Sequence, residues 1–370
     1  MRIATFNVEN LFLRARVLNL ENWTDGRAIL DAHAELTNLL EQPVYGAEEK
    51  TRIILLLDRL GLLHADEGPY VLLRRNRGGL IRRNKEGMVE IVAGGRDDWI
   101  GWVELVREPI NEVAIENTAR VIADVNADIL CVVEAESRTA LREFSEMMLP
   151  RVQSQPYDNI MLIDGNDTRG IDVGLMTRAG YDIGLMRSHV GAGGRNHEVF
   201  SRDCPEYAVH TPRGEQIWCL LNHFKSKGYG RPAESDARRR AQAKLVASYY
   251  RRLRSEGKEH IVVMGDLNDT PGSAPLAPLL EETDLKEIST HPAFSTGEFS
   301  GKGTFGLGND SQKLDHLLLS PGLFARVTGG GIFRMGAWPG SRERRWTVYP
   351  ELEKPIQAAS DHHALWVDID

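Results

Sequence analysis

Val263-Met-Gly-Asp266-Leu-Asn268-Asp-Thr-Pro271 runs from an apolar strand straight into carboxylate and amide side chains. The run Ile261–Gly265 is short, continuous and apolar, which reads as a buried strand. Alone, Gly-Asp-Leu-Asn also fits a strand-to-turn exit, with Asp266 and Asn268 as turn formers. The same design recurs elsewhere in the chain. Phe6-Asn7-Val8-Glu9 closes a first strand over residues 2–9, and Leu130-Cys-Val-Val-Glu134 closes another. Ala359-Ser-Asp361-His362-His363 leads into a last one. Strand ends converge on one rim in α/β folds, so these distant residues can share a pocket. Acids with an amide suit a hard, oxygen-binding cation such as Mg²⁺. Histidines beside such an ion suit proton transfer or stabilisation of a charged phosphoryl transition state.

Outward from these segments, regular α/β alternation begins at residue 111. Asn111–Asn126 suits an amphipathic helix, Ile129–Glu134 a strand, and Ser137–Met148 a helix capped by Ser137 or Thr139. Strands are predicted at Asn159–Ile163, Asp172–Met176, Ile183–His189, Val199–Cys204, Glu206–His210 and Ile217–His223. A long helix covers Glu234–Ser255, its arginines read as a solvated face, and a short one covers Ala274–Glu282. Asp315–Leu319, Gly330–Arg334 and Ala364–Asp368 are the last strands. Residues 14–110 are less regular. Helices are predicted at Ala28–Glu41 and Glu48–Leu63. One hairpin is predicted about Gly78-Gly79, joining Tyr70–Arg75 to Leu80–Arg83, and another about Gly94-Gly95, joining Met88–Val92 to Trp99–Val106.

The 370 residues are 42% apolar and 26% charged, which excludes a mostly disordered chain. No run of ~18 uncharged apolar residues occurs, which excludes a membrane-spanning helix. Lys and Arg total 45 against 53 Asp and Glu, a net charge of −8. Proteins that coat nucleic acid are usually basic, but a metal ion can supply local positive charge to a phosphate-ester enzyme. Cys131, Cys204 and Cys219 show no CxxC spacing and read as buried free thiols of a reducing compartment. The opening residues carry no apolar leader, so the expected compartment is the cytoplasm; secretion would require a leader already removed.

Taken in order, the motifs resemble those of the endonuclease/exonuclease/phosphatase family. The matching pieces are Thr5-Phe-Asn7-Val-Glu-Asn, Ala127-Asp-Ile-Leu-Cys-Val-Val-Glu134, Arg169-Gly-Ile-Asp172-Val-Gly-Leu-Met and Asn222-His223-Phe-Lys-Ser-Lys227. Gly265-Asp-Leu-Asn-Asp269, Leu314-Asp315-His316 and Ser360-Asp361-His362 follow. The resemblance implies a two-sheet β-sandwich flanked by helices on both outer faces, a four-layer α/β sandwich. It spans one domain over residues 1–370, with roughly 14–110 as an insertion after the first strand. It also implies divalent-metal-dependent phosphodiester hydrolysis with Mg²⁺ or Mn²⁺, by attack of an activated water at phosphorus. In this reading Glu134 is the principal metal ligand, with Asn7 and Asp361 close to the ion. Asp266 orients or deprotonates the water, and Asn268 holds a phosphate oxygen. His223 and His362 flank the scissile phosphate, and Asp315 fixes the tautomer of His362. Arg169 is a phosphate clamp, since its planar fork matches two oxygens.

Glu9 is an added acid, read as a further metal ligand or as the structural partner of a nearby base. Strand alternation sends His362 and His363 to opposite sides, which leaves His363 outside the chemistry. The 127 residues separating Asn7 from Glu134 place the insertion between two site segments. Within it, Arg74, Arg75, Arg77, Arg82, Arg83 and Lys85 occur with no acid between them. They read either as a solvated turn or as contacts to the flanking phosphates of nucleic acid. The first-choice substrate is nucleic acid. The alternatives are another phosphoester, such as a lipid headgroup, sugar phosphate or small diester, and a non-catalytic binding module. No feature calls for an obligate protein partner.

Overall fold

The structure, a computed structural model, describes residues 1–370 apart from 21–22, 86, 168, 194–198, 228–230 and 342–344, and apart from the side chains of 23–25. The chain, read above as one domain with an insertion, divides into two compact units. The first comprises Met1–Phe12, Ile110–Lys227 and Ala233–Asp370; the second is built on Leu13–Pro109.

Two sheets form the centre of the first unit. The seven-stranded sheet runs in the order Phe294–Ser295, Val327–Phe333, Ala364–Ile369, Arg2–Asn7, Ile129–Ala135, Asp172–Thr177, Asn159–Leu162. The six-stranded sheet runs Asp182–Arg187, Glu206–His210, Gln216–His223, Ile261–Asp266, Asp315–Leu319, Lys286–Glu287. Alternate residues of each strand point inward, as the two-residue period requires. Ile3, Cys131, Val133 and Val173 of one sheet therefore meet Tyr207, Cys219, Met264 and Leu317 of the other in a dry interface. The opposite residues point outward. Phe6, Leu130 and Val132 bury under the helices Glu112–Val125 and Arg138–Met147. Leu220, Val263 and Leu318 bury under the helix Pro232–Ser255. The result is a four-layer α/β sandwich. Capping chemistry fixes where its helices begin: Asn111 accepts from Val113 N at 3.0 Å, and Ser137 accepts from Ala140 N at 3.1 Å.

Several expected elements end differently. The first strand stops at Asn7 rather than residue 9, because Glu9 and Asn10 take left-handed backbone angles of φ 51° and 69°. Residues 199–204 form no strand. Arg202 and Asp203 instead spend their side chains on loop partners, which competes with a ladder. The helix expected at 274–282 shrinks to a 3-10 turn, Ala274–Leu276, and the short helix Ala277–Leu280, since Pro275 and Pro278 lack the amide a longer helix needs.

The second unit has its own core, in which Leu36, Ile53, Leu57, Val71 and Trp99 are buried. Its helices are Trp23–Leu40 and Ala47–Arg59. The two expected hairpins are nested instead. Ile81–Arg83 pairs with Val89–Ile91, and Val71–Arg77 pairs with Ile100–Leu105 around them. The tight closure lies at Asn84, whose Oδ1 accepts from Met88 N at 2.7 Å. Gly78 serves a different need. At φ 69° it passes so close to the neighbouring chain that a Cβ would lie 2.3 Å from Asp98 O.

Candidate active site

Register brings the polar strand ends together. Asn7 lies opposite Val133, one residue before Glu134 on the neighbouring parallel strand. In the other sheet His223 lies opposite Asp266, and Asp266 opposite Asp315, so three adjacent strands present three functional side chains in a row. The sheets are joined by Asn7 Nδ2, which donates to Asp266 Oδ2 at 3.3 Å. Asp266 Oδ2 also accepts from Asn268 Nδ2 at 3.0 Å, and Asp266 Oδ1 accepts from Asn268 N at 2.8 Å.

His223 Nε2 lies 3.5 Å from Glu134 Oε1 and 3.6 Å from Asp266 Oδ2. His362 Nδ1 is 2.8 Å from Asp315 Oδ2, and its Nε2 edge is 3.9 Å from both Asp266 Oδ2 and Asp361 Oδ1. Asp361 N donates to Glu9 Oε2 at 3.2 Å, and Glu9 N donates to Asn7 Oδ1 at 3.0 Å. Asn7, Glu9, Glu134, His223, Asp266, Asn268, Asp315, Asp361 and His362 thus form one contiguous group. Glu9, Glu134 and Asn268 are held at φ 51°, 67° and 52°. Left-handed backbone at a non-glycine residue costs on the order of 1 kcal/mol, and such residues concentrate at functional sites.

The two histidines differ electrostatically. Burial would lower His362, but the charge and hydrogen bond of Asp315, with Asp266 and Asp361, hold it well above its usual value. Burial holds His223 well below its usual value, reinforced by the Arg202 and Arg169 charges. Burial also raises the Asp266 carboxyl, and Asp315 and Glu134 add to that rise. One imidazole therefore keeps a proton while its neighbour stays neutral. His363 turns away: its Nε2 lies 3.1 Å from Gly306 O and its ring meets the edge of Trp346. His316 is buried, with Nε2 2.9 Å from Asp269 O.

Arg169 adjoins the site but is committed to Asp167 through Nε at 3.1 Å and Nη2 at 2.8 Å. The insertion's arginines are not the acid-free cluster the sequence suggests. Arg74 pairs with Glu104 at 2.8 Å, Arg82 with Glu90 at 3.5 Å and Arg83 with Asp66 at 2.7 Å. Arg83 also donates to the carbonyls of Leu62, Leu63 and Ala65, tying down the chain after the helix Ala47–Arg59. Arg75 and Arg77 are exposed.

Sequence reasoning missed the buried supports. Arg239, assigned to a solvated face, is 1% exposed and donates to Asp269 Oδ2 at 3.0 Å. Lys227 pairs with the other oxygen of that acid, so Asp269 anchors the turn carrying Asn268. Lys313 Nζ donates to Asp315 O and lies 3.1 Å from Glu287 Oε1, which fixes the strand start bearing Asp315. Arg202 Nε lies 2.9 Å from Asp167 Oδ2. No spacing rule separates such arginines and lysines from surface ones.

A divalent cation fits this group. Glu134 takes no side-chain hydrogen bond from a described residue, and its nearest partner is the neutral His223. Glu9, Asp266 and Asp361 add negative charge around it, while Arg169 and Arg202 are turned to Asp167. Among the described residues, Asp266, Asp315 and His362 offer ligand-type atoms that all lie within 4.8 Å of one another. The imidazole of that trio is already hydrogen-bonded through Nδ1 to Asp315, with Nε2 3.9 Å from Asp266 Oδ2. Glu134, Asn7 and Asp361 carry the oxygen donors that could hold a hard ion.

A family model described as the endonuclease/exonuclease/phosphatase family matches residues 105–333, more than half of the chain. The chain belongs to the endonuclease/exonuclease/phosphatase family. Members of this family are hydrolases of phosphoester bonds, among them nucleases, phosphodiesterases and phosphatases. They typically depend on a divalent metal. Among solved structures, a mannosyl-6-phosphatase from Bacteroides thetaiotaomicron is 15% identical over 70% of this chain and 91% of its own, with a TM-score of 0.49. Truncated TDP2 from Caenorhabditis elegans is 15% identical over 69% and 90%, with a TM-score of 0.45. The catalytic domain of human Nocturnin with bound sulfate is 15% identical over 71% and 88%, with a TM-score of 0.47. No curated protein matches the chain. Among the described residues, no helix is long and apolar enough to cross a membrane.

Proposed function

We propose that this family member is a divalent-metal-dependent phosphodiester hydrolase whose first substrate class is nucleic acid. The observation that carries the reading is the convergence of the Asp315–His362 pair on Asp266, within reach of Glu134 and His223. A metal held by Glu134, Asn7 and Asp361 would neutralise charge on the phosphoryl group. The chain's own residues do the rest. Asp266 orients the attacking water and accepts its proton. Asn268, expected from the sequence to hold a phosphate oxygen, spends its amide hydrogens on Asp266 and Phe224 O and so orients the Asp266 carboxylate instead. His362, kept charged by Asp315, faces the transition state with its Nε2 proton and can pass it to the leaving oxygen. His223 donates a hydrogen bond as a neutral imidazole. The bond from water to phosphorus forms as the bond to the leaving oxygen breaks, and no serine, threonine or cysteine is needed as a covalent nucleophile.

The test is turnover by metal-reconstituted protein on single-stranded DNA, duplex DNA, RNA, sphingomyelin and bis-p-nitrophenyl phosphate. Hydrolysis of a nucleic acid supports the reading. Hydrolysis of sphingomyelin or the small diester alone moves the substrate to another phosphoester. No hydrolysis of any of them, with metal bound, would leave a binding module.

A further inference from the structure

The second unit carries an exposed aromatic on a face that its own core does not use. In the ribbon of Val71–Arg77 and Ile100–Leu105, Val71, Val103 and Leu105 point into that core. Trp99, just before the second strand, is fully buried with them, and its Nε1 donates to Tyr45 OH at 3.1 Å. Its ring fills the inner side so closely that a Cβ on Gly101 would lie 2.0 Å from Trp99 Cζ3. The two-residue strand period then sends Ile100 and Trp102 to the outer face, where they are 38% and 47% exposed. Among the described residues, no hydrogen bond or cation–π contact engages the Trp102 indole.

Cations flank the same face. Across the ribbon Arg74 lies opposite Trp102, and Arg77 opposite Ile100. Arg74 pairs with Glu104 at 2.8 Å, which occupies the one acid within the two strands. At the ribbon's end Asp98 Oδ2 accepts from Gly94 N at 2.6 Å. Arg75 and Arg77 are exposed, and among the described residues no hydrogen bond or ion pair engages either guanidinium. Arg77 stands two residues from Trp102 along the ribbon, about 7 Å, the reach of a nucleotide from base to phosphate. A bare indole face beside unpaired guanidiniums suits a ligand that is both flat and anionic.

We infer that this ribbon is a docking surface for single-stranded nucleic acid, with a base stacked on Trp102 and flanking phosphates on Arg77 and Arg75. The inference rests on the nucleic-acid reading above and narrows it to a strand with unpaired bases. In a duplex each base is stacked between its neighbours, whereas an unpaired base of any type offers a π-face to an aromatic side chain. A lipid surface fits less well. Two free arginines fall short of the cluster of about four to eight cations that an anionic membrane calls for, and Glu104 stands on the same face.

Binding of fluorescein-labelled oligothymidylate to the full chain, followed by anisotropy in EDTA, tests the surface apart from turnover. Trp102→Ala should weaken binding ~10-fold, the scale of one lost stacked base. Trp102→Leu should lose as much, because it keeps apolar bulk without a π-face. Trp102→Phe should stay within about threefold of wild type. Circular dichroism confirms that each variant folds. Across a salt series Trp102→Ala should keep the wild-type slope, whereas Arg75→Gln combined with Arg77→Gln should flatten it. An abasic sugar-phosphate strand should bind wild type and Trp102→Ala alike. No strand binding by wild type, or full binding by Trp102→Ala or Trp102→Leu, overturns the surface. Vesicles of phosphatidylserine and phosphatidylcholine whose binding depends on Trp102, when strand binding does not, overturn it in favour of a membrane. Strand binding that depends on Trp102, with no hydrolysis of any substrate, upholds the surface and removes the hydrolytic reading. Hydrolysis of bis-p-nitrophenyl phosphate, with strand binding indifferent to Trp102, does the reverse.

Discussion

Nδ1 of His362 and Oδ2 of Asp315 lie 2.8 Å apart with both residues buried, so the imidazole is fixed in one orientation with Nε2 toward Asp266. Asp315→Asn keeps the shape and removes the charge. It should lower kcat ~10²-fold or more while KM changes little. His362 is held above its usual value by Asp315, so activity that needs its proton falls as pH rises through that value. In Asp315→Asn this fall should move to lower pH. A kcat–pH profile with the alkaline limb unmoved would show that His362 does not act through its proton.

Metal dependence is the next expectation. EDTA should abolish turnover, and Mg²⁺ or Mn²⁺ should restore it. Glu134→Gln should raise the metal concentration needed for half-maximal activity ~10-fold or more with the fold intact. Full turnover after rigorous chelation would rule the mechanism out.

The adjacent histidines should separate cleanly. His362→Ala should cost ~10²-fold or more in kcat, the scale of a lost acid–base group. His363→Ala removes only a contact with Gly306 O and packing on Trp346, so its effect should appear in Tm rather than kcat. The reverse pattern would place the catalytic imidazole one residue later.

Stability should carry the signature of His316. Burial, with Lys313 nearby, pushes this histidine down to about 4 from an ordinary 6.5. The native state then refuses a proton that the unfolded chain accepts. Stability is full above about 6.5, falls as pH drops toward about 4, and levels off below that. The total loss is about 3 kcal/mol from a shift of this size. His316→Gln cannot titrate, so the slope of unfolding free energy between those pH values should flatten in urea titrations. An unchanged slope would assign the acid limb to other groups.

The insertion's arginines should divide by role. Arg83→Ala removes three carbonyl contacts and the Asp66 pair, so it should lower the melting temperature of the second unit. Arg75 and Arg77 are exposed, and their joint replacement by Gln tests contact with nucleic acid. If that contact exists, KM for a long strand should rise and its salt dependence flatten, because fewer counterions are released. Unchanged salt dependence would leave them solvated.

What the sequence revealed follows from the physics of each feature. Short apolar runs ending in acids or amides announce buried strands; register then lines up His223, Asp266 and Asp315, and packing of the two sheets brings Asn7 to Asp266. Local chemistry likewise offered Ser137 or Thr139 as a helix cap, and Ser137 is the one used. The nested pairing of Val71–Arg77 with Ile100–Leu105 was illegible, because a glycine signals a bend without saying whether it closes a hairpin or permits a close approach. The buried roles of Arg239, Lys313 and Arg202 depend on partners such as Asp269, Glu287 and Asp167, which only tertiary structure supplies.

The strand Ala364–Ile369 lies between Val327–Phe333 and Arg2–Asn7 in the seven-stranded sheet. Arg2–Asn7 therefore gains its second neighbour only through a pairing that closes a very long loop of chain. His362 is made only two residues ahead of that closing strand. A nascent chain that has not yet released residues 360–369 has a gap in the middle of one sheet and an Asp315 with no imidazole to hold. Closure of the seven-stranded sheet and delivery of His362 to Asp315 are then a single event, and a chain that loses this strand loses the imidazole's seat with it.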